Sequence, residues 1–117
     1  MGPNKLELER VRREYGSKLR LLTANVKDQI SELSQLAQDK IFAAPVIVEL
    51  IEQRIRMAPP AQKLPAFYLL DSICKIVRRD YLALFGRNIT RTFLETYRVV
   101  DPDTQYRMER MLGTWRT

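Results

Sequence analysis

The stretch FYLLDSICKIV, residues 67–77, is apolar enough to lie inside a protein, yet Asp71 and Ser72 stand together in its middle. On a helical wheel of ~100° per residue, Phe67, Leu69, Leu70, Ile73, Cys74, Ile76 and Val77, with Ala66 before them, spread over roughly half the circumference. So wide an arc demands neighbours on several sides, and the segment reads as the central helix of an all-α bundle. The remaining face, within roughly 100°, carries Tyr68, Asp71, Ser72, Lys75 and Arg79. A ring, a carboxylate, a hydroxyl and two cations in one strip suit an extended peptide better than a metal or a small substrate. A plainer reading stands beside it: Asp71 and Lys75 are an i, i+4 ion pair on a solvated face, Ser72 bonds back to a carbonyl one turn earlier, and Tyr68 is half-buried core.

Outward from this helix, apolar residues recur at spacings of three and four in every segment, interrupted by Pro, Gly, Asn and Asp, with no period-two alternation. The spacing predicts helices over about residues 5–22, 26–38, 42–57, 61–78, 80–85, 89–99 and 102–116. The first buries Leu8, Val11, Tyr15, Leu19 and Leu22, and Gly16 costs it a little; the second buries Val26, Ile30, Leu33 and Leu36. Asn25 and Asn88 are candidate N-caps, Gly86 a candidate left-handed stop, and Asp101 followed by Pro102 a strong start for the last helix, which carries Tyr106, Met108, Leu112 and Trp115. Pro45 is tolerated in a first turn. Connections of two to four residues imply consecutive antiparallel pairs, packed as an array or superhelix.

The chain has 117 residues, 45% of them hydrophobic and 29% charged, which bounds it to one globular domain. With one cysteine and no histidine, disulfide frameworks, Cys/His zinc sites and imidazole-based triads are excluded. No isolated carboxylate pair, Gly-rich phosphate loop or nucleotide fingerprint is present. The expectation is therefore a non-enzyme without catalytic residues, metal or cofactor. No apolar run is long enough to span a membrane and the charged N-terminus lacks a signal-peptide core, so an intracellular protein is expected. Twenty Lys and Arg against 14 acids give a net charge of +6, which favours anionic partners: nucleic acid, acidic lipid or phosphorylated peptide.

The runs KLPAFYLLDSICKIVRRDYLALFGRNI (63–89) and VVDPDTQYRMERMLGTW (99–115) resemble the CTD-interacting domain (CID) of eukaryotic pre-mRNA 3′-end processing and transcription termination factors, above all its branch in cleavage factor IA of fungi. The resemblance covers the chain from about Leu19 onward. It implies a single domain over 1–117, a right-handed superhelical array of seven to eight helices similar to VHS and ENTH domains, ending where an eighth helix would begin. It also implies a nuclear, monomeric module that binds the Tyr-Ser-Pro-Thr-Ser-Pro-Ser repeats of the RNA polymerase II C-terminal domain, with the serine after the tyrosine phosphorylated. Other 3′-end processing factors are implied partners.

Carried over by position, Asp71 accepts a hydrogen bond from the repeat's tyrosine, with Ser72 beside it. Tyr68 and Lys75 line the same wall, Asn25 and Lys27 approach from the second helix, Met111 forms the apolar floor, and Arg110 is the phosphate-binding candidate. The family frequently has Lys-Asn-Val-Gly where Lys75, Ile76, Val77 and Arg78 stand here, so Ile76 replaces a polar groove residue. Where Phe-Asn-Ser-Lys-Pro is common, this chain has Ala24, Asn25, Val26, Lys27 and Asp28. A second basic region, Arg78, Arg79, Arg87 and Arg91, is either solvated surface or an RNA contact. Met57, Cys74 and Trp115 read as packing residues. Two other classes share the helical, basic character: a VHS- or ENTH-like membrane-trafficking adaptor and a sequence-independent RNA-binding domain.

Overall fold

A computed structural model describes residues 4–115. Seven α-helices follow one another: α1 (Lys5–Arg20), α2 (Lys27–Asp39), α3 (Ala44–Met57), α4 (Lys63–Ile76), α5 (Arg79–Gly86), α6 (Ile89–Tyr97) and α7 (Pro102–Thr114), with 3-10 turns at Ile41–Ala43 and Pro60–Gln62. Among the described residues there is no strand, and no helix is long and apolar enough to cross a membrane. The all-α array is as the periodicity predicts.

The principal packing runs between alternate helices, α1 on α3 and α2 on α4, and is thinner between the consecutive pair α1 and α2. The consecutive pair α3 and α4 packs almost as extensively, so both alternate and consecutive neighbours build the array. The centre is shared. Ile47, Ile51 and Ile55, one stripe at i, i+4, i+8 on α3, are fully buried, as are Ala66, Phe67, Leu69 and Ile73 on α4. The Ile, Leu and Phe side chains among them each stabilise the fold by about 1.5–3 kcal/mol relative to exposure.

Helix C-termini leave unpaired carbonyls, and this chain closes three of them with side chains from other elements. Tyr81 Oη donates to the Ala37 carbonyl (2.7 Å) at the end of α2. The ammonium of buried Lys63 donates to the Ile55 and Arg56 carbonyls (2.6 and 2.8 Å) at the end of α3. Gln105 Nε2 donates to the Tyr97 carbonyl (2.7 Å) at the end of α6. Glycine stops are correspondingly unnecessary. Gly86, expected as a left-handed stop, lies within α5, and no described glycine has positive φ. The positive-φ stop falls instead on Arg78 (φ 62°, ψ −109°), followed by Arg79 (φ 40°).

Local signals divide in the same way. Asp101 caps α7 by accepting from the Thr104 amide (2.7 Å), with Pro102 behind it, as the sequence predicts. Neither Asn25 nor Asn88 caps with its side chain: Val26 occupies the start position of α2, and the Asn88 amide donates to Glu52 (3.3 Å) while accepting from Arg91 (3.2 Å). At Asn88 the distant Glu52 and the nearby Arg91 take the side chain in place of the cap. Val26 and Met57 are exposed, not core, whereas Val11, Tyr15, Leu19, Leu22 and Leu33 are buried as expected.

Candidate functional site

α4 and α7 pack together and enclose an open cleft of about 600 Å³. From α4 come Tyr68, Asp71 and Lys75. From α7 come Asp103, Tyr106, Arg107, Arg110, Met111 and Thr114. The α7 set recurs at i, i+3, i+4, i+7, i+8 and i+11, the arithmetic of a single helix face. Met111 is buried and forms the floor, while Tyr106 is 58% exposed and stands as a wall.

Asp71 is the pivot. Its side chain is only 16% exposed, and both carboxylate oxygens are engaged. Oδ1 accepts from the Trp115 indole N–H at 2.6 Å, and Oδ2 accepts from Lys75 Nζ at 3.0 Å. Lys75 also donates to Thr114 Oγ1 (2.8 Å), whose hydroxyl in turn donates to the Met111 carbonyl (2.6 Å). The plain i, i+4 pair of the sequence reading therefore exists, as one arm of a clasp that ties α4 to the end of α7. A carboxylate offers about four acceptor positions, so Trp115 and Lys75 use only two of them, and Asp71 lines the open cleft.

Two cations on α7 are treated differently. Arg107 is neutralised by Asp103, one turn before it (3.3 Å). The Arg110 guanidinium lies over the Tyr106 ring, 5.9 Å from its centroid, and has no carboxylate partner among the described residues. A cation held by a ring keeps its N–H donors for an incoming anion.

The helical wheel splits α4's polar strip between two neighbours. Tyr68, Asp71 and Lys75 turn toward α7. Ser72 is hydrogen-bonded with Ser34 of α2 (2.9 Å) and so sits at the α2/α4 seam, and Ile76, one turn further on, is exposed. Asn25 and Lys27, at the start of α2, are exposed and do not line the α4/α7 cleft. Arg78, Arg79, Arg87 and Arg91 are all exposed; Arg78 and Arg79 stand at the start of α5 and the other two follow its end, so about 12 Å of helix separates the pairs.

Trp115, read from sequence as packing alone, does two jobs: its ring meets Phe93 edge-on (6.2 Å) while its N–H fixes Asp71. Asp103, Tyr106, Arg107 and Thr114 were legible only by extending the 3–4 spacing from Arg110 and Met111. Cys74 lines an adjoining hollow of about 290 Å³ on the other side of the clasp, which shares Asp71, Lys75 and Thr114 with the cleft, and burial pushes its thiol up to about 11, with the Asp71 charge adding to the effect.

The family model of the CID domain matches residues 14–117. The chain belongs to the CID domain family. Its CID domain is 38% identical over 109 residues to Protein PCF11 of Saccharomyces cerevisiae, covering 93% of this chain and 17% of that protein. It is 40% identical over 110 residues to Polyadenylation and cleavage factor homolog 11 of Caenorhabditis elegans, covering 92% of this chain and 13% of that one. The chain thus spans under a fifth of the length of these relatives. The CID domain superposes on the crystal structure of the RPR of Pcf11 with a TM-score of 0.88 at 39% identity, over 89% of this chain and 79% of that one.

Proposed function

We propose that this CID domain binds serine-phosphorylated heptad repeats of the RNA polymerase II C-terminal domain in the α4/α7 cleft, as a non-enzymatic nuclear module coupling transcription to mRNA 3′-end processing and termination. The observation that carries the reading is the pairing, in one open trough, of a carboxylate with spare acceptor capacity and an arginine with no acid partner. A phenol hydroxyl donates to Asp71, a hydrogen bond to a charged group contributing ~1.5–3 kcal/mol. The Met111 floor and the Tyr106 wall take the apolar surface of the peptide, and Arg110 meets the phosphate. Membership of a family that includes a polyadenylation and cleavage factor homologue supports the same assignment.

Ordering a flexible repeat costs ~2–5 kcal/mol, so a single repeat binds weakly and several repeats gain by avidity. Fluorescence anisotropy with two-repeat peptides, plain and serine-phosphorylated, tests the reading. The phosphorylated peptide is expected to bind more tightly, and Arg110→Ala to erase most of that preference, since the guanidinium fork matches phosphate oxygens. Equal losses for both peptides would make Arg110 a general groove residue and remove the phosphate assignment.

A further inference from the structure

A second furrow runs along the seam of α1 and α3, neither of which contributes to the α4/α7 cleft. Two adjoining hollows, of about 400 and 330 Å³, share Gly16, Arg20 and Leu50 and so form one trough. Its apolar lining is Leu19, Leu50 and Met57, the last 77% exposed. Its charges are four arginines, Arg12, Arg13, Arg20 and Arg54, against Glu9. Arg12 is committed to Glu49 (3.6 Å), outside the lining.

Two residues give the trough its shape and its charge. Gly16 lies buried inside α1, where glycine costs a helix roughly 0.5–1 kcal/mol against alanine. Packing does not demand it: a Cβ there would meet Leu50 Cδ2 at 4.0 Å and Arg20 Nη1 at 3.9 Å, ordinary contacts, and its φ is not positive. What the missing side chain leaves is the notch. Arg54, at the other end, donates from Nη2 to Gln62 (3.2 Å) and has no carboxylate partner among the described residues. A carboxylate is the acceptor that completes such a guanidinium fork.

We propose that the α1/α3 furrow is a second docking surface, for an acidic peptide that carries spaced aliphatic side chains. Carboxylates meet Arg13, Arg20 and Arg54, and aliphatic groups seat at Gly16, Leu50 and Met57. Nucleic acid fits less well, because no aromatic side chain lines the furrow to stack a base. The domain thereby holds the polymerase tail on one face and an acidic protein segment on another.

The test uses a fluorescein-labelled peptide, Glu-Glu-Leu-Leu-Glu-Glu-Leu-Leu-Glu-Glu, its Ser-for-Leu counterpart and a ten-nucleotide uridine RNA. The Leu-bearing peptide is expected to bind saturably, with amide shifts at Gly16, Arg20, Leu50, Arg54 and Met57. The Arg13→Glu/Arg20→Glu double variant is expected to lose at least tenfold. Gly16→Leu, which fills the notch, is expected to lose a similar factor without a lower melting temperature. Both variants should bind the two-repeat tail peptide as the parent does, which separates this surface from the tail site. Shifts confined to α4 and α7, equal binding of the Ser peptide, tighter RNA binding at the same amides, or no saturable binding would each overturn the proposal.

Discussion

Replacing Asp71 by alanine removes the acceptor shared by two donors on different elements. The Trp115 N–H, part-buried at 2.6 Å, is left without its partner, a loss of about 1–3 kcal/mol for a desolvated donor. The Lys75 arm, whose side chain is 46% exposed, adds little, about 0.3–0.5 kcal/mol. The expected loss of stability is therefore about 2 kcal/mol, or a fall in melting temperature of roughly 5–10 °C for a chain of this length. From sequence alone the same substitution is expected to leave melting almost unchanged; the clasp reverses that. Circular dichroism melting measures it, and the emission of Trp115, the single tryptophan, reports the site directly. A double-mutant cycle with Trp115→Phe, which keeps a ring against Phe93 but deletes the donor, is expected to show coupling of about 1–2 kcal/mol. Additive effects, or an Asp71→Ala melt within a degree of the parent, would refute the reasoning. On the proposed function the same variant also weakens tail-peptide binding ten- to a hundredfold.

Other outcomes follow from single residues. Arg78→Gly is expected to raise the melting temperature by a few degrees in the same thermal scan, because φ 62° and ψ −109° suit glycine and cost a side-chain-bearing residue of order 1–3 kcal/mol. Burial raises the Glu52 carboxyl above its ordinary 4.5, against the opposing effects of Asn88, Arg56 and Arg91. A raised acid disfavours the charged folded form, so this residue's contribution to stability declines as pH rises from about 4.5 through the raised value. Glu52→Gln is expected to flatten urea-denaturation stability across that window and to be neutral or stabilising at neutral pH.

Much of the fold is legible in the sequence because the apolar stripes are strong: Val11, Tyr15, Leu19 and Leu22 read as a buried face by spacing alone, and all four are buried. What fails is local chemistry that a distant partner overrides. Asn88 looks like a cap but is held between Glu52 and Arg91. Gly86 looks like a stop, yet Arg78 takes the positive-φ turn because the α4-to-α5 bend falls there. At the site, the α4 residues are visible as a polar notch in an apolar helix. The α7 wall is not, since Tyr106 is indistinguishable by type from a core ring until the helix is docked. Trp115 conceals its polar role for the same reason, its acceptor lying 44 residues away in sequence.

The most direct measurement is amide-shift mapping of the domain with plain and serine-phosphorylated two-repeat peptides of the polymerase tail. The account expects saturable shifts running along Tyr68, Asp71 and Lys75 and across to Tyr106, Arg110 and Met111, with the phosphorylated peptide adding a displacement centred on Arg110. Shifts that leave both α4 and α7 untouched, or no saturation with either peptide, would contradict it.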